Sequence, residues 1–177
     1  TPRIKAHTRT LSSAARMQLS SSEIDLYSGD QKTLNASATR SEMAASGIVW
    51  ESSDTSVAAV NGSGVVTAKN PGTATITCYG KNARGIRATC KVTVKLRQTT
   101  GVKLVSKAFN RIRISWKAVP GCNRYAIYRW DERENSKKMA TVTADVETWQ
   151  DTAVKTGSTY TYRIRASYVH SGKKTVY

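Results

Sequence analysis

The sequence predicts an all-β protein: two consecutive β modules, each a sandwich or a barrel, behind a basic N-terminal arm. Three observations carry this prediction. Apolar and polar residues alternate with a period of two in many short segments. Turn chemistry separates those segments, as in Asn61-Gly62-Ser63-Gly64 and Asn70-Pro71-Gly72. The pattern also begins afresh at Gly101, after the short polar stretch from Leu96 to Thr100. Thr, Ser, Val, Ile, Tyr and Trp, the residues that suit a pleated and half-buried surface, are plentiful.

Residues 1–16 have no sustained periodicity and read as a basic arm, with Arg3, Lys5, Arg9 and Arg16 and no acid. No apolar stretch follows Thr1-Pro2-Arg3-Ile4-Lys5, so the start does not read as a signal peptide. Without an initiator Met, the expectation is a mature, processed or excised form. From Met17 onward the expected strands are Gln18–Leu19, Glu23–Tyr27, Gln31–Thr39, Ile48–Ser52, Val57–Val60, Val65–Lys69, Gly72–Tyr79 and Ile86–Val94. In the seventh, Ala74, Ile76 and Cys78 share one face, and Thr73, Thr75 and Thr77 share the other. In the eighth, Cys90, Val92 and Val94 alternate with Lys91, Thr93 and Lys95. Such alternation marks antiparallel strands with one buried face.

In the second module Ile112, Ile114 and Trp116 alternate with Arg111, Arg113 and Ser115. Tyr160, Tyr162, Ile164 and Ala166 alternate with Thr161, Arg163, Arg165 and Ser167.

Within the first module, Ile48-Val49-Trp50-Glu51-Ser52-Ser53-Asp54, Val57-Ala58-Ala59-Val60, Gly64-Val65-Val66-Thr67-Ala68 and Pro71-Gly72-Thr73-Ala74-Thr75-Ile76-Thr77 occur in that order. Ala88-Thr89-Cys90-Lys91-Val92-Thr93-Val94 follows them. Together they closely resemble the bacterial Ig-like domain, group 2, over residues 17–95. Trp116-Lys117-Ala118-Val119-Pro120-Gly121-Cys122, Tyr125-Ala126-Ile127-Tyr128-Arg129 and Thr156-Gly157-Ser158-Thr159-Tyr160 resemble a bacterial fibronectin type III domain over about residues 100–177. The resemblances imply two tandem immunoglobulin-like β-sandwiches, with the arm at 1–16 and modules at 17–97 and 98–177. They also imply a tyrosine-corner role for Tyr160 and no catalysis. The last strand looks clipped at Tyr177, so a parent chain that continues is expected.

The chain carries 28 basic and 12 acidic residues, a net charge of +16. The arm holds four basic residues and no acid, residues 17–97 nine against six, and residues 98–177 fifteen against six. This surplus favours polyanionic partners such as anionic cell-wall polymer or acidic glycan. A basic but merely solvated surface is the bland reading. Nucleic acid is disfavoured, because no recognition motif or aromatic platform of the oligonucleotide-binding kind is evident. No apolar run reaches the roughly 18 residues of a membrane span.

Little here organises chemistry. His7 lies in the arm and His170 at a hairpin end, and neither neighbours a Ser or Cys in a nucleophile setting. No phosphate loop, HExxH or calcium loop occurs, so neither cofactor nor metal is expected. Cys78 and Cys90 fall on the inward face of one predicted hairpin. Opposed positions would permit a disulfide, stabilising by roughly 3 kcal/mol through its thirteen-residue loop; two buried thiols are the alternative. Cys122 is expected to be an unpaired core thiol. Trp50 and Trp116 fall in phase with buried faces, and Trp149 beside the turn at Asp151.

Trp130 differs. It shares the outward face with Ala126 and Tyr128, next to the strand bearing Arg163 and Arg165 and the final hairpin with Lys173 and Lys174. Aromatics interleaved with cations could bind sugar rings or anionic polymer, or the arginine stems could simply shield the rings. A second basic row, Lys107, Arg111 and Arg113, is expected on the other sheet.

The functional expectation is a non-catalytic structural or adhesive module of a secreted or surface-displayed bacterial protein. The alternative is a decoration or structural subunit of a phage virion or extracellular filament, held to neighbouring protein subunits through the arm.

Overall fold

The computed structural model describes residues 15–39, 47–133 and 135–170, together with the backbone of residues 173–175. Among these the regular structure is entirely β. The architecture is two tandem Ig-like β-sandwiches.

The first sandwich comprises β1 (Met17–Leu19), β2 (Glu23–Tyr27), β3 (Gln31–Thr33), β4 (Ala36–Ala38), β5 (Ile48–Ser52), β6 (Ala58–Val60), β7 (Val65–Ala68), β8 (Gly72–Gly80) and β9 (Ala83–Lys95). One sheet has the order β2-β9-β8-β5 and the facing sheet β3-β7-β6, while β1 pairs with β4. The expected alternation sets what is inside: Ala74, Ile76, Cys78, Cys90, Val92 and Val94 are all buried, and each large aliphatic side chain withdrawn from water stabilises by about 1.5–3 kcal/mol. Trp50 packs against this core.

One segment departs from the sequence-based expectation. The segment Gln31–Thr39 is two strands, because the chain changes partner in the middle. β3 pairs with β7 and β4 with β1, and the switch falls at Leu34, which is buried and donates its N–H to Gly64 O at 2.9 Å. The backbone of Asn35 meets Ser20 instead. A pattern of alternating residues carries no mark of such a handover. The opening strand β2 closes the sheet edge beside the last, running parallel to β9, whereas β8 and β9 pair antiparallel as their alternation implies.

Gly64 is the residue this handover requires. Asn61 holds the turn by accepting from the Ser63 and Val65 N–H groups at 3.0 Å, and Gly64 takes φ +79° within it. A Cβ there would lie 2.4 Å from Leu34 O and 2.7 Å from the Trp50 ring.

The second sandwich comprises β10 (Lys103–Ala108), β11 (Arg111–Ser115), β12 (Arg124–Trp130), β13 (Ser136–Thr143), β14 (Thr148–Asp151), β15 (Thr161–His170) and β16 (Lys173–Thr175). Its sheets are β10-β11-β14 and β13-β12-β15-β16. Trp116 and Tyr125 meet edge to face at its centre, centroids 5.4 Å apart, with Ile114, Ile127, Ile164 and Ala166 around them. The Tyr125 hydroxyl accepts from Val119 N at 2.8 Å. Burial, and then the neighbouring Cys122 thiol, pushes this phenol up to about 12. Cys122 is free and half-buried against the same core.

The connection between the modules is packed at both ends. Lys95 O still accepts from Ser28 N, and the next residue, Leu96, is buried in the second core. Arg97 turns back to the first sandwich, with Nη2 2.7 Å from Asp30 Oδ1 and the guanidinium 4.5 Å above the Tyr27 ring centroid. Lys117 N–H then donates to Thr100 O at 3.0 Å. Across the junction Gly121 lies so close to Ser28 that a Cβ would be 2.4 Å from its Oγ, and Gly29 faces Pro120.

Gly64→Ala should destabilise the first sandwich by about 2–4 kcal/mol, from left-handed strain and overpacking together. Urea unfolding of the 177-residue chain, followed by Trp fluorescence, checks this. A loss below about 0.5 kcal/mol, within the range of an ordinary surface change, would show that the turn does not hold the handover.

Candidate functional site

The outward face of β12 and β15 places the expected residues together. Inward Tyr125 and Ile127 are fully buried, so Ala126, Tyr128 and Trp130 point away from the core. Tyr128 pairs directly with Arg163, Ala126 with Arg165 and Trp130 with Thr161. The Tyr128 and Trp130 rings lie 6.2 Å apart, tilted by 44°, and the Arg163 guanidinium sits 5.8 Å from the Trp130 centroid. Both aromatics are half-buried and both arginines exposed. The stacking of Arg163 on Trp130 is the shielding contact that the sequence allowed, and it leaves the cation in solvent.

Sequence reasoning missed one member of this face. β13 carries an irregularity opposite Ile127 and Tyr128, so that Ile127 pairs with Ala140 but Tyr128 pairs with Lys138. Met139 is skipped, and exposed Lys138 enters the row Lys138–Tyr128–Arg163. Period-two counting cannot locate a bulge. Lys173 and Lys174 lie in β16, paired with His170 and Val169; their side chains are outside the described residues.

The remaining candidates disperse. Arg3, Lys5 and Arg9 lie outside the described residues. Arg16 does not belong to a separate arm: its N–H donates to Thr39 Oγ1 at 2.9 Å and its carbonyl accepts from Thr39 N, prolonging the β1–β4 pair. Cys78 and Cys90 are free and buried. Cys78 stands opposite Ala88 and Cys90 opposite Ile76, so the two are diagonal neighbours, about 7–8 Å apart, rather than the opposed pair a bridge needs. Burial raises the pKa of both thiols. The expected basic row also divides: Arg113 pairs with Ser106 and Arg111 with Ala108, whereas Lys107 stands opposite Ile112 and takes the other face.

A second cluster was not visible in the sequence. Asp151 is 1% exposed at the end of β14. It accepts from Arg129 Nη1 and Tyr162 Oη, both at 2.8 Å, and from Ala153 N at 2.9 Å. Arg129 also donates to Ala153 O and stacks 4.7 Å from the Tyr160 centroid. Burial and the hydrogen bond to Asp151 hold the Tyr162 phenol well above the ordinary tyrosine range. Every group is partnered and mixed in charge, which makes the cluster a clamp between β12, β14 and β15. The adjoining cavity, about 450 Å³, contains Asp131, Glu132, Arg133 and Lys155. Its carboxylates are engaged: Asp131 accepts from Arg133 N and Asn135 N, and Glu132 from Thr159 N. Among the described residues no group of three or more His, Cys, Asp or Glu is placed to hold a metal ion, and no helix is long and apolar enough to cross a membrane.

Comparison with known proteins bears on the first module. Residues 13–92 match the family model of the bacterial Ig-like domain, group 2, a fold that is typically non-catalytic. An uncharacterized protein of Clostridium acetobutylicum is 35% identical over 81 residues, which are 46% of this chain and 8% of that protein. The chain therefore spans only a small part of that relative. Among solved structures, the FN1–FN3 domains of chicken CNTN1 align at 13% identity with a TM-score of 0.38, covering 84% of this chain and 58% of that one. Domains 4 and 5 of the S-layer protein SbsC align at 14% identity with a TM-score of 0.36, covering 86% and 92%.

Asp151→Ala should cost about 3–5 kcal/mol, because Arg129 would stay largely buried without its partner. Replacing both, Arg129→Met with Asp151→Leu, should cost less than the single change. Chemical denaturation of the three proteins decides; equal stability of Asp151→Ala and the parent chain would remove the clamp from the account.

Proposed function

We propose that this chain is a structural and adhesive module of a secreted or surface-displayed bacterial protein, whose second sandwich contacts anionic wall polymer or acidic glycan. The row Lys138–Tyr128–Arg163, with Trp130 and Arg165 beside it, is the observation that carries the reading. Three cations and two rings share one sheet face, and their charges are not neutralised by any ion pair among the described residues. Such a face suits a repeating polyanion. Each charge contact in water is weak, so affinity must come from several acting together along a polymer. Stacked guanidinium and indole hold the cations in a fixed array. The chemistry asks for positioning and charge, and for no reacting group.

The first module supplies the surface setting: bacterial Ig-like domains support a structural surface module. For the second, a fibronectin type III-like sandwich is the reading we favour, with a module boundary near Arg97. Lys155 N–H donates to Tyr160 Oη at 3.0 Å, which is the tyrosine-corner contact that reading requires.

Retention of the chain on purified anionic wall polymer should fall steadily from low salt to about 0.5 M, because exposed charges are screened beyond roughly 8 Å at physiological ionic strength. The double change Arg163→Glu and Arg165→Glu should weaken binding about tenfold or more, equivalent to about 1.4 kcal/mol. Retention that ignores salt, or is untouched by the double change, sinks the proposal.

A further inference from the structure

The outer face of the second sandwich has one low point. Tyr125 and Ile127 are buried, so Arg124, Ala126, Tyr128 and Trp130 carry the outward side chains of β12. Only Ala126 ends at a methyl group. The register identifies what surrounds it. Thr141 stands directly across on β13 and Arg165 directly across on β15, while Arg124 and Tyr128 flank it along the strand. At the diagonal positions β13 supplies Thr143 and Lys138, and β15 supplies Ser167 and Arg163. Every position around Ala126 therefore carries a cation or a hydroxyl, and none carries a carboxylate or an aliphatic side chain.

The cations here, Arg124, Lys138, Arg163 and Arg165, are all exposed, and none joins an ion pair among the described residues. Two corners of the ring are already committed. Ser167 donates to Arg124 O at 3.4 Å, and the Thr143 hydroxyl donates to the Asp145 carboxylate, which ties that acid to its corner. Arg163 leans on Trp130. Arg124, Arg165 and Thr141 are left beside Ala126 itself. Cations two residues apart on one strand face are about 7 Å from each other, inside the roughly 8 Å over which salt screens them. They repel, and an anion entering between them relieves that repulsion. A low point ringed by donors has the form of an anion seat.

We propose that Ala126 floors a seat for a single phosphate group, held between the Arg124 and Arg165 guanidinium groups with the Thr141 hydroxyl as a third donor. The seat deepens the polymer-contact reading and rests on it for the source of the phosphate: a phosphodiester-linked wall polymer, in preference to a carboxylate-bearing glycan. Geometry separates the two. A carboxylate is planar, and one guanidinium fork satisfies both of its oxygens. A phosphate is tetrahedral and offers oxygens to donors that arrive from different strands. Arg124 lies on β12 and Arg165 on β15, opposite Ala126 and two positions along, so the two forks approach from different sides. Arginine matches phosphate in this bidentate way, where lysine offers a point charge. A nucleic acid also carries phosphates, but it binds by stacking its bases on aromatic rings, and the Trp130 ring is already covered by Arg163.

The test is an NMR titration of the 177-residue chain with sodium phosphate and, separately, with sodium acetate, at an ionic strength held constant with sodium chloride. Phosphate should shift the Ala126 and Thr141 amides and the Arg124 and Arg165 Nε–H signals along one saturating curve. Acetate should need about tenfold more for the same shift. Ala126→Ile suits a strand and keeps every charge, yet fills the floor; it and Arg124→Ala should each weaken phosphate binding about tenfold. Arg111→Ala, an equal loss of charge on the other sheet, should leave binding unchanged. The seat is overturned if acetate acts as phosphate does, if shifts rise at every cation without saturating, or if Ala126→Ile binds like the parent chain. Retention on purified phosphodiester wall polymer is read separately. Salt-sensitive retention that Ala126→Ile leaves untouched sinks the seat and spares the broader face, whereas a phosphate seat on a chain that no wall polymer retains sinks the polymer reading alone. Tighter retention on a single-stranded oligonucleotide of equal phosphate count overturns wall polymer as the source.

Discussion

Two adjacent residues decide how this chain is built. Leu96 and Arg97 follow directly on β9, yet Leu96 is buried in the second core while Arg97 is clamped between Asp30 and Tyr27 of the first. A chain anchored this way has no free spacer between its modules. Gly121 against Ser28 closes the same seam from the other side. The Asp54 carboxyl, kept below the usual range mainly by hydrogen bonds from Ser56, also feels His170 of the second sandwich. The ion pair is exposed and worth little alone. What fixes the junction is burial of Leu96 together with backbone contact too close for any side chain at residue 121.

That constraint is what gives the cationic face meaning. A row of weak charge contacts can act on a polymer only if the row keeps its geometry. The outer face of β12 and β15 rests on the Tyr125–Trp116 core beneath it and on the Asp151 clamp at its end. Rigidity runs from that core through the sheet to Arg163 and Arg165, and through Leu96 to the first sandwich.

Most of the fold was legible because period-two alternation is a direct consequence of strand geometry. Ala74, Ile76 and Cys78 had to share a face, and so did Ala126, Tyr128 and Trp130. What escaped were events that keep the alternation and change the partner. The handover at Leu34 alters which strand is bonded without altering the pattern, and the parallel pairing of β2 depends on topology. Within the site, Tyr128, Trp130, Arg163 and Arg165 came together as expected, but Lys138 entered only through a bulge. Arg129 and Asp151 are 22 residues apart, and nothing local in the sequence links them. The diagonal placing of Cys78 and Cys90 shows the same limit: face is readable, register is not.

The central claim is that the two sandwiches move as one body. Spin labels placed through cysteine at exposed Thr73 in the first module and exposed Thr141 in the second, with Cys122→Ala to remove the half-buried thiol, report it directly by pulsed dipolar spectroscopy. The account predicts a single narrow distance distribution that persists when salt screens the Arg97–Asp30 pair. A broad distribution, as two modules on a flexible tether would give, contradicts it.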